Sequence, residues 1–136
     1  MVLNTVLQED FWTPPRLGPQ ERMLAAAGMD RECGRDFGLD STQRKWLVDE
    51  MSRLNADAPL LVFAHAGVAE LATLLARPRG TTVVHGHTHS AMTGWADNVL
   101  FQGMLATAWP MVGESRCGYG IVEMGLHAAP VVSHHV

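Results

Sequence analysis

An α/β fold is predicted by the order of elements between residues 42 and 85, where helix, apolar strand, helix and strand follow one another. Two further observations support that class. The 136 residues are 47% hydrophobic and 18% charged, a globular composition with enough chain for one core. Beyond residue 98, short β-type segments are separated by glycine and proline, the pattern of antiparallel strands appended to a βαβ unit. One domain covering residues 1–136 is therefore expected, without internal repeats or low-complexity tracts.

Residues 1–6 form an apolar, partly β-branched run that reads as a strand. Pro14, Pro15 and Pro19 make residues 9–19 a surface loop, because an interior strand needs its backbone donors. A short helix is expected next, with Pro19 near its first turn and Gly28 as its stop. Residues 33–39 read as a connection. The strongest helical pattern is 42–55, where Trp46, Leu47, Met51 and Leu54 share a face. Asp40 or Ser41 caps it, and Gln43 stands three residues after Asp40 as in a capping box. Residues 60–64 are continuously apolar and are expected as a strand buried on both faces. Residues 68–76 are helical in pattern and end before Pro78 and Gly80, and residues 81–85 form the next strand. Further strands are expected at 99–102, 104–107, 119–124 and 130–136.

Ten Lys and Arg against fourteen Asp and Glu leave a net charge of −4. That balance argues against a nucleic-acid clamp, which needs a basic face to displace counterions, and against a polybasic membrane patch. No apolar run is long enough to span a bilayer. Cys33 and Cys117 are too few for a disulfide framework or a thiolate metal site. Two unpaired thiols are the simpler expectation, and a single bridge between them stays open. Residues 1–5 lack the basic and long apolar regions of a signal peptide, so a cytoplasmic location is expected.

Chemistry concentrates in the histidines. There are seven, and His65, His85, His87 and His89 lie close together in the chain. His65 ends the apolar strand, and the other three follow the next strand. Pockets in α/β sheets form outside the carboxyl ends of strands. Adjacent strands are about 4.8 Å apart, which brings His65 and the later cluster to one pocket. Residues two apart share a side of an extended chain, and Gly86 permits a bend, so His87 and His89 are expected to converge. Neutral imidazole suits Zn, Fe, Mn or Ni. A lone buried histidine is more often a hydrogen-bonded core residue, and a His-x-His pair alone also occurs on exposed loops. His134 and His135 are read as such a tail. The combination of strand–His, helix, strand and Gly-His-Thr-His is far more specific.

Leu60-Leu61-Val62-Phe63-Ala64-His65 followed by Gly86-His87-Thr88-His89 resembles the last two metal-binding blocks of the calcineurin-like metallophosphoesterases. Gly38-Leu39-Asp40-Ser41-Thr42-Gln43, then Trp46-Leu47, is similar to the helix that precedes the first of these blocks. Residues 1–5 look like the family's upstream strand ending in Leu-Asn-Thr. Thr107-Ala108-Trp109-Pro110 and Gly118-Tyr119-Gly120-Ile121-Val122-Glu123 are similar to its closing strands. Essentially the whole chain is covered, but only by the second half of the family domain. The first-half blocks Asp-x-His, Gly-Asp-x-x-Asp and Gly-Asn-His do not occur.

The resemblance implies the C-terminal half of an α/β/β/α sandwich and a metal-dependent hydrolase of phosphomonoesters or phosphodiesters. It implies that His65 and His87 share one divalent ion and that His89 contacts a second. His85 has no role in the family pattern and is expected, if anything, to support a ligand from behind. Complete sites hold two ions about 3.5–4 Å apart, which bind phosphate oxygens and acidify a bridging water. Without the family's bridging aspartate, neutral rings leave two dications unscreened, so at most one ion is expected here. His65, His87, His89 and water then form a three-histidine site. A small phosphorylated substrate is the expected partner, together with the absent N-terminal half in trans or a second copy. Trp95 and Trp109 are candidates to stack on a base or sugar, or to pack beneath a loop. Two other readings stand beside the hydrolase. One is a non-catalytic half-domain that binds a partner through uncovered sheet. The other is a cupin-like jelly roll, disfavoured because no Glu follows His89 closely and because two helices fit that fold badly.

Overall fold

Alternate positions of the central strands carry the core, because successive strand side chains point to opposite faces. The computed structural model describes residues 1–5, 37–107, 116–125 and 128–136. In chain order the elements are β1 (Val2–Leu3), α1 (Ser41–Arg53), β2 (Leu60–Ala64), α2 (Glu70–Leu75), β3 (Thr81–His85), β4 (Thr93–Ala96), β5 (Val99–Gly103), β6 (Tyr119–Glu123) and β7 (Val131–His135). A five-stranded sheet runs β1-β2-β3-β5-β4. Its first four members are parallel to one another, and β4 runs antiparallel along the edge of β5. β6 and β7 make a second, two-stranded antiparallel sheet. The class is therefore mixed α/β, as the sequence predicts.

Leu60, Val62, Val83 and Val99 project to one face of the large sheet, where Leu47 of α1 and Leu71 and Leu75 of α2 cover them. Each fully buried leucine of this set contributes roughly 1.5–3 kcal/mol. Asp40, not Ser41, is the cap of α1, and its Oδ1 accepts the Gln43 N–H at 2.6 Å. Leu47 is the buried residue of α1 and Met51 packs partly against the core, whereas Trp46 and Leu54 are exposed. The two helices are joined through Glu70, whose carboxylate pairs with Arg44 and accepts the Leu39 N–H at 2.8 Å.

Several expectations need correction. Strand 60–64 is not buried on both faces. Leu60 and Val62 are buried, but Phe63 is 40% exposed, because the described helices cover only one side of the sheet. Residues 104–107 are not a strand. The Met104 N–H goes to the His85 carbonyl and the Ala106 carbonyl receives the Gly118 N–H, so the segment crosses between the two sheets. Strand β4 escaped the sequence reading. It forms because Asp97 and Asn98, with φ of 48° and 63°, make a two-residue turn that folds it back on β5. His134 and His135 belong to β7 and are not a loose tail. β5 pairs in parallel with β3, so the C-terminal strands are not a simple antiparallel meander. Parallel pairing with helices on one face also removes the jelly-roll reading. The proline-rich loop at 9–19, the helix at 19–28, Cys33 and Trp109 lie outside the described residues. Cys117 is an exposed free thiol. Among the described residues, no helix is long and apolar enough to cross a membrane.

Candidate functional site

The carboxyl ends of β2 and β3 lie side by side, with Ala64 opposite His85. Beyond them, the Gly86 N–H donates to the His65 carbonyl at 3.0 Å, which extends the pairing past the last strand residues. That bond fixes the chain entering the Gly86–Ser90 loop against the chain leaving β2. The His65 and His87 rings meet there, with centroids 5.2 Å apart and planes inclined by 59°. Phe37 closes over the pair, its ring 4.3 Å from His87 in an edge contact and 6.1 Å from His65. Phe37 was not singled out in the sequence, where it stands in a glycine-rich connection. That ring packs against one side of both imidazoles.

The loop takes a shape that an extended chain does not. His87 and His89 have φ of 63° and 54°, in the left-handed region, while Gly86 does not. The Thr88 N–H donates to the Gly86 carbonyl at 2.7 Å, which makes His87 the centre of a γ-turn of the rarer, strained kind. The two-residue spacing therefore does not place His87 and His89 as it would on a strand. Among the described residues, no group of three or more His, Cys, Asp or Glu side chains is arranged to hold a metal ion. The observed meeting is a pair, His65 with His87.

Whether that pair suits a cation is a matter of spacing and donor chemistry. A metal–nitrogen bond of about 2.0–2.1 Å at tetrahedral angles puts two imidazole centroids roughly 5 Å apart. The observed 5.2 Å meets that requirement. Imidazole donors bring no negative charge to offset a second dication, so they suit one divalent ion and not two.

His85, the last residue of β3, is only 8% exposed. Its Nδ1 donates to the Gly86 carbonyl at 3.2 Å, which leaves Nε2 with the lone pair. Burial lowers its pKa below the ordinary 6.5, the Gly86 hydrogen bond opposes that shift, and charge on His87 adds to it. Its ring lies over Gly67, where a Cβ would approach within 3.0–3.3 Å. Thr5 supplies a further brace that the sequence reading missed. It is fully buried, and its Oγ1 accepts the Ala66 N–H at 2.9 Å, next to His65. Asn4, the residue before Thr5, is tied to α1 through paired backbone bonds with the Gln43 side chain, at 2.7 and 2.6 Å. The Leu-Asn-Thr ending of the first strand was the available signal.

An open cavity of about 400 Å³ lies beside the pair, with His65, His85 and Met104 among its walls. Trp95 is not part of it. That residue is 67% exposed on β4, the far edge of the sheet. Comparison with known proteins adds nothing to this geometry: no family model, curated protein or solved structure matches the chain.

Proposed function

We propose that this chain is the C-terminal portion of a metal-dependent phosphoester hydrolase of the calcineurin-like type, and that its α/β sheet is one half of the family's sandwich. The observation that carries the reading is the meeting of His65 and His87, delivered by neighbouring parallel strands, with their rings 5.2 Å apart. His65 and His87 would hold one divalent ion, and His89 would contribute to it or to a second ion shared with the absent half. Such an ion draws electron density from phosphate oxygens and acidifies a water. The chain's own residues do the positioning. Thr5 and Gly86 hold the peptide group that joins His65 to Ala66, Phe37 packs against both rings, and His85 lines the adjoining cavity together with His65. A phosphoester is cleaved when a water oxygen bonds to phosphorus and the alcohol leaves with its oxygen.

Metal content after dialysis against limiting manganese or zinc tests the assignment. Replacing His65 or His87 by alanine should weaken retention by more than the roughly 10–100-fold that loss of a supporting hydrogen bond costs. His135→Ala should leave retention unchanged. Equal metal in all four proteins would remove the reading. Turnover of a chromogenic phosphodiester with manganese then tests the reaction.

A second reading, a binding half-domain, is favoured by the exposed apolar residues Val2, Phe63, Trp95, Tyr119, Ile121 and Val131. Association that needs no metal, with no turnover, would select it.

A further inference from the structure

Register places Val2, Phe63, Val84 and Gln102 in one row across β1, β2, β3 and β5, with Thr93 of β4 beside Gln102. Exposure falls along that row, from 75% at Val2 and 40% at Phe63 to 6% at Val84 and at Gln102. The small sheet lies over the buried end, where His134 of β7 meets the Gln102 amide and the Met104 side chain packs against Gly120 of β6. The Met92 carbonyl tells which end of that amide is nitrogen, because a carbonyl only accepts and Gln102 Nε2 lies 3.1 Å from it. The same nitrogen stands 2.7 Å from His134 Nε2, which must therefore offer a lone pair. His134 is then neutral and carries its hydrogen on Nδ1, a buried atom with no hydrogen-bond partner among the described residues. We propose that this contact is a pH-sensitive latch: His134 holds the small sheet on the large one while neutral and releases it on gaining a proton.

A charged imidazole has a hydrogen on both ring nitrogens. The one on Nε2 points at the donating Gln102 amide, and the one on Nδ1 finds no acceptor among the described residues. Turning the amide over sets its oxygen against the Met92 carbonyl, acceptor against acceptor, and loses that bond. Release lets the charged ring reach water instead. Docking is therefore complete with the neutral ring and weakens as pH falls through the range, about 5 to 8, in which histidines change charge. The ionisable groups around the latch do not supply the missing acceptor. β4, β5 and residues 104–107 carry none. On β6, Gly120 stands opposite His134, Tyr119 stacks on His135, and Glu123 pairs with Val131 at the other end of the small sheet. His135 points to the opposite face of β7 and bonds Ser133. Arg116 and Cys117, both exposed, precede β6, His89 stands three residues before Met92, and Asp97 sits at the far end of the β4–β5 hairpin.

Two measurements on the full chain test the latch. Near the top of that pH range, long-range proton–nitrogen spectra should show His134 with its hydrogen on Nδ1 and a bare Nε2. Amide exchange, corrected for its intrinsic pH dependence, should lose protection in β6 and β7 relative to β2 and β3 as pH is lowered from about 8 to 5. One proton sets the limit of that loss at about tenfold per pH unit. His134→Gln supplies an acceptor that does not titrate and should abolish the relative loss. His135→Gln, which alters the ring on the opposite face of the strand, should leave it in place. A hydrogen on Nε2, no relative loss in the unaltered protein, or a loss that persists in His134→Gln each overturns the proposal. The tautomer is read on the unaltered protein, so it decides the matter even where the variant loosens the small sheet. Neither measurement involves metal or phosphoester, so the latch and the hydrolase reading stand or fall separately.

Discussion

Gly67 owes its identity to the imidazole beside it. A methyl group there would press on three ring atoms of His85 at 3.0–3.3 Å, and that ring is hemmed in by burial. Gly67→Ala should therefore cost roughly 1–3 kcal/mol, read as a lower urea midpoint, as overpacking does in a filled core. His85 itself imposes a pH dependence. Its folded pKa lies below 6.5, chiefly because burial penalises the charged ring, so the native state binds that proton less readily than the unfolded chain. The stability it contributes is complete above 6.5 and is lost as pH falls through the depressed folded value. Urea midpoints measured from neutral to mildly acidic pH should fall in that window, and His85→Gln should flatten the trend. The positions of these side chains were only partly readable in advance. That His65 lies near the later histidine cluster followed from strand ends and neighbouring strands, whereas its pairing with His87 in particular was implied only by the family resemblance. The direction of His89 did not follow, because a left-handed backbone at His87 breaks the two-residue alternation on which the expectation stood.

At the scale of elements, the readable ones carried their own chemistry. α1 announced itself through Asp40, Gln43 and the spacing of Leu47 and Met51, β2 through an unbroken apolar run, and β3 through the β-branched residues 81–84. β4 had no such mark, since Thr93-Gly94-Trp95-Ala96 is exposed throughout and exists by pairing with β5. The attachment of β7 was hidden for a similar reason. Gln102 of β5 is 6% exposed, and its Oε1 accepts from Thr93 at 3.1 Å. Its Nε2 donates to the Met92 carbonyl at 3.1 Å and to His134 Nε2 at 2.7 Å. These bonds orient the amide and join the small sheet to the large one. Nothing in the composition of a His-His pair near a chain end reveals a partner in another sheet. His134→Ala strips one partner from a buried amide, which costs about 1–3 kcal/mol. The loss should appear as faster hydrogen exchange in β6 and β7 than in β2 and β3.

Across the whole molecule, the large sheet is covered by helices on one face, while Val2, Phe63 and Trp95 remain exposed on the other. β1 is its shortest member. It has two residues, and its register partners are Phe63 and Ala64, far along the chain. Closing so long a loop is entropically unfavourable, and two rungs of ladder offset little of it. Amide exchange at Leu3 and at the β1-facing side of β2 should therefore be fastest among the parallel strands. Equal protection along β1, β2 and β3 would show that β1 is held more firmly than its length implies.

The same brevity has a kinetic meaning. The β4–β5 hairpin needs only a local turn, whereas Thr5 reaches Ala66 only after the first strand has found its distant neighbour. During refolding, the brace beside His65 is then among the last contacts to close. If the His65 and His87 pair binds a divalent ion as proposed, its capture should lag behind the recovery of secondary structure and keep pace with the docking of the first strand.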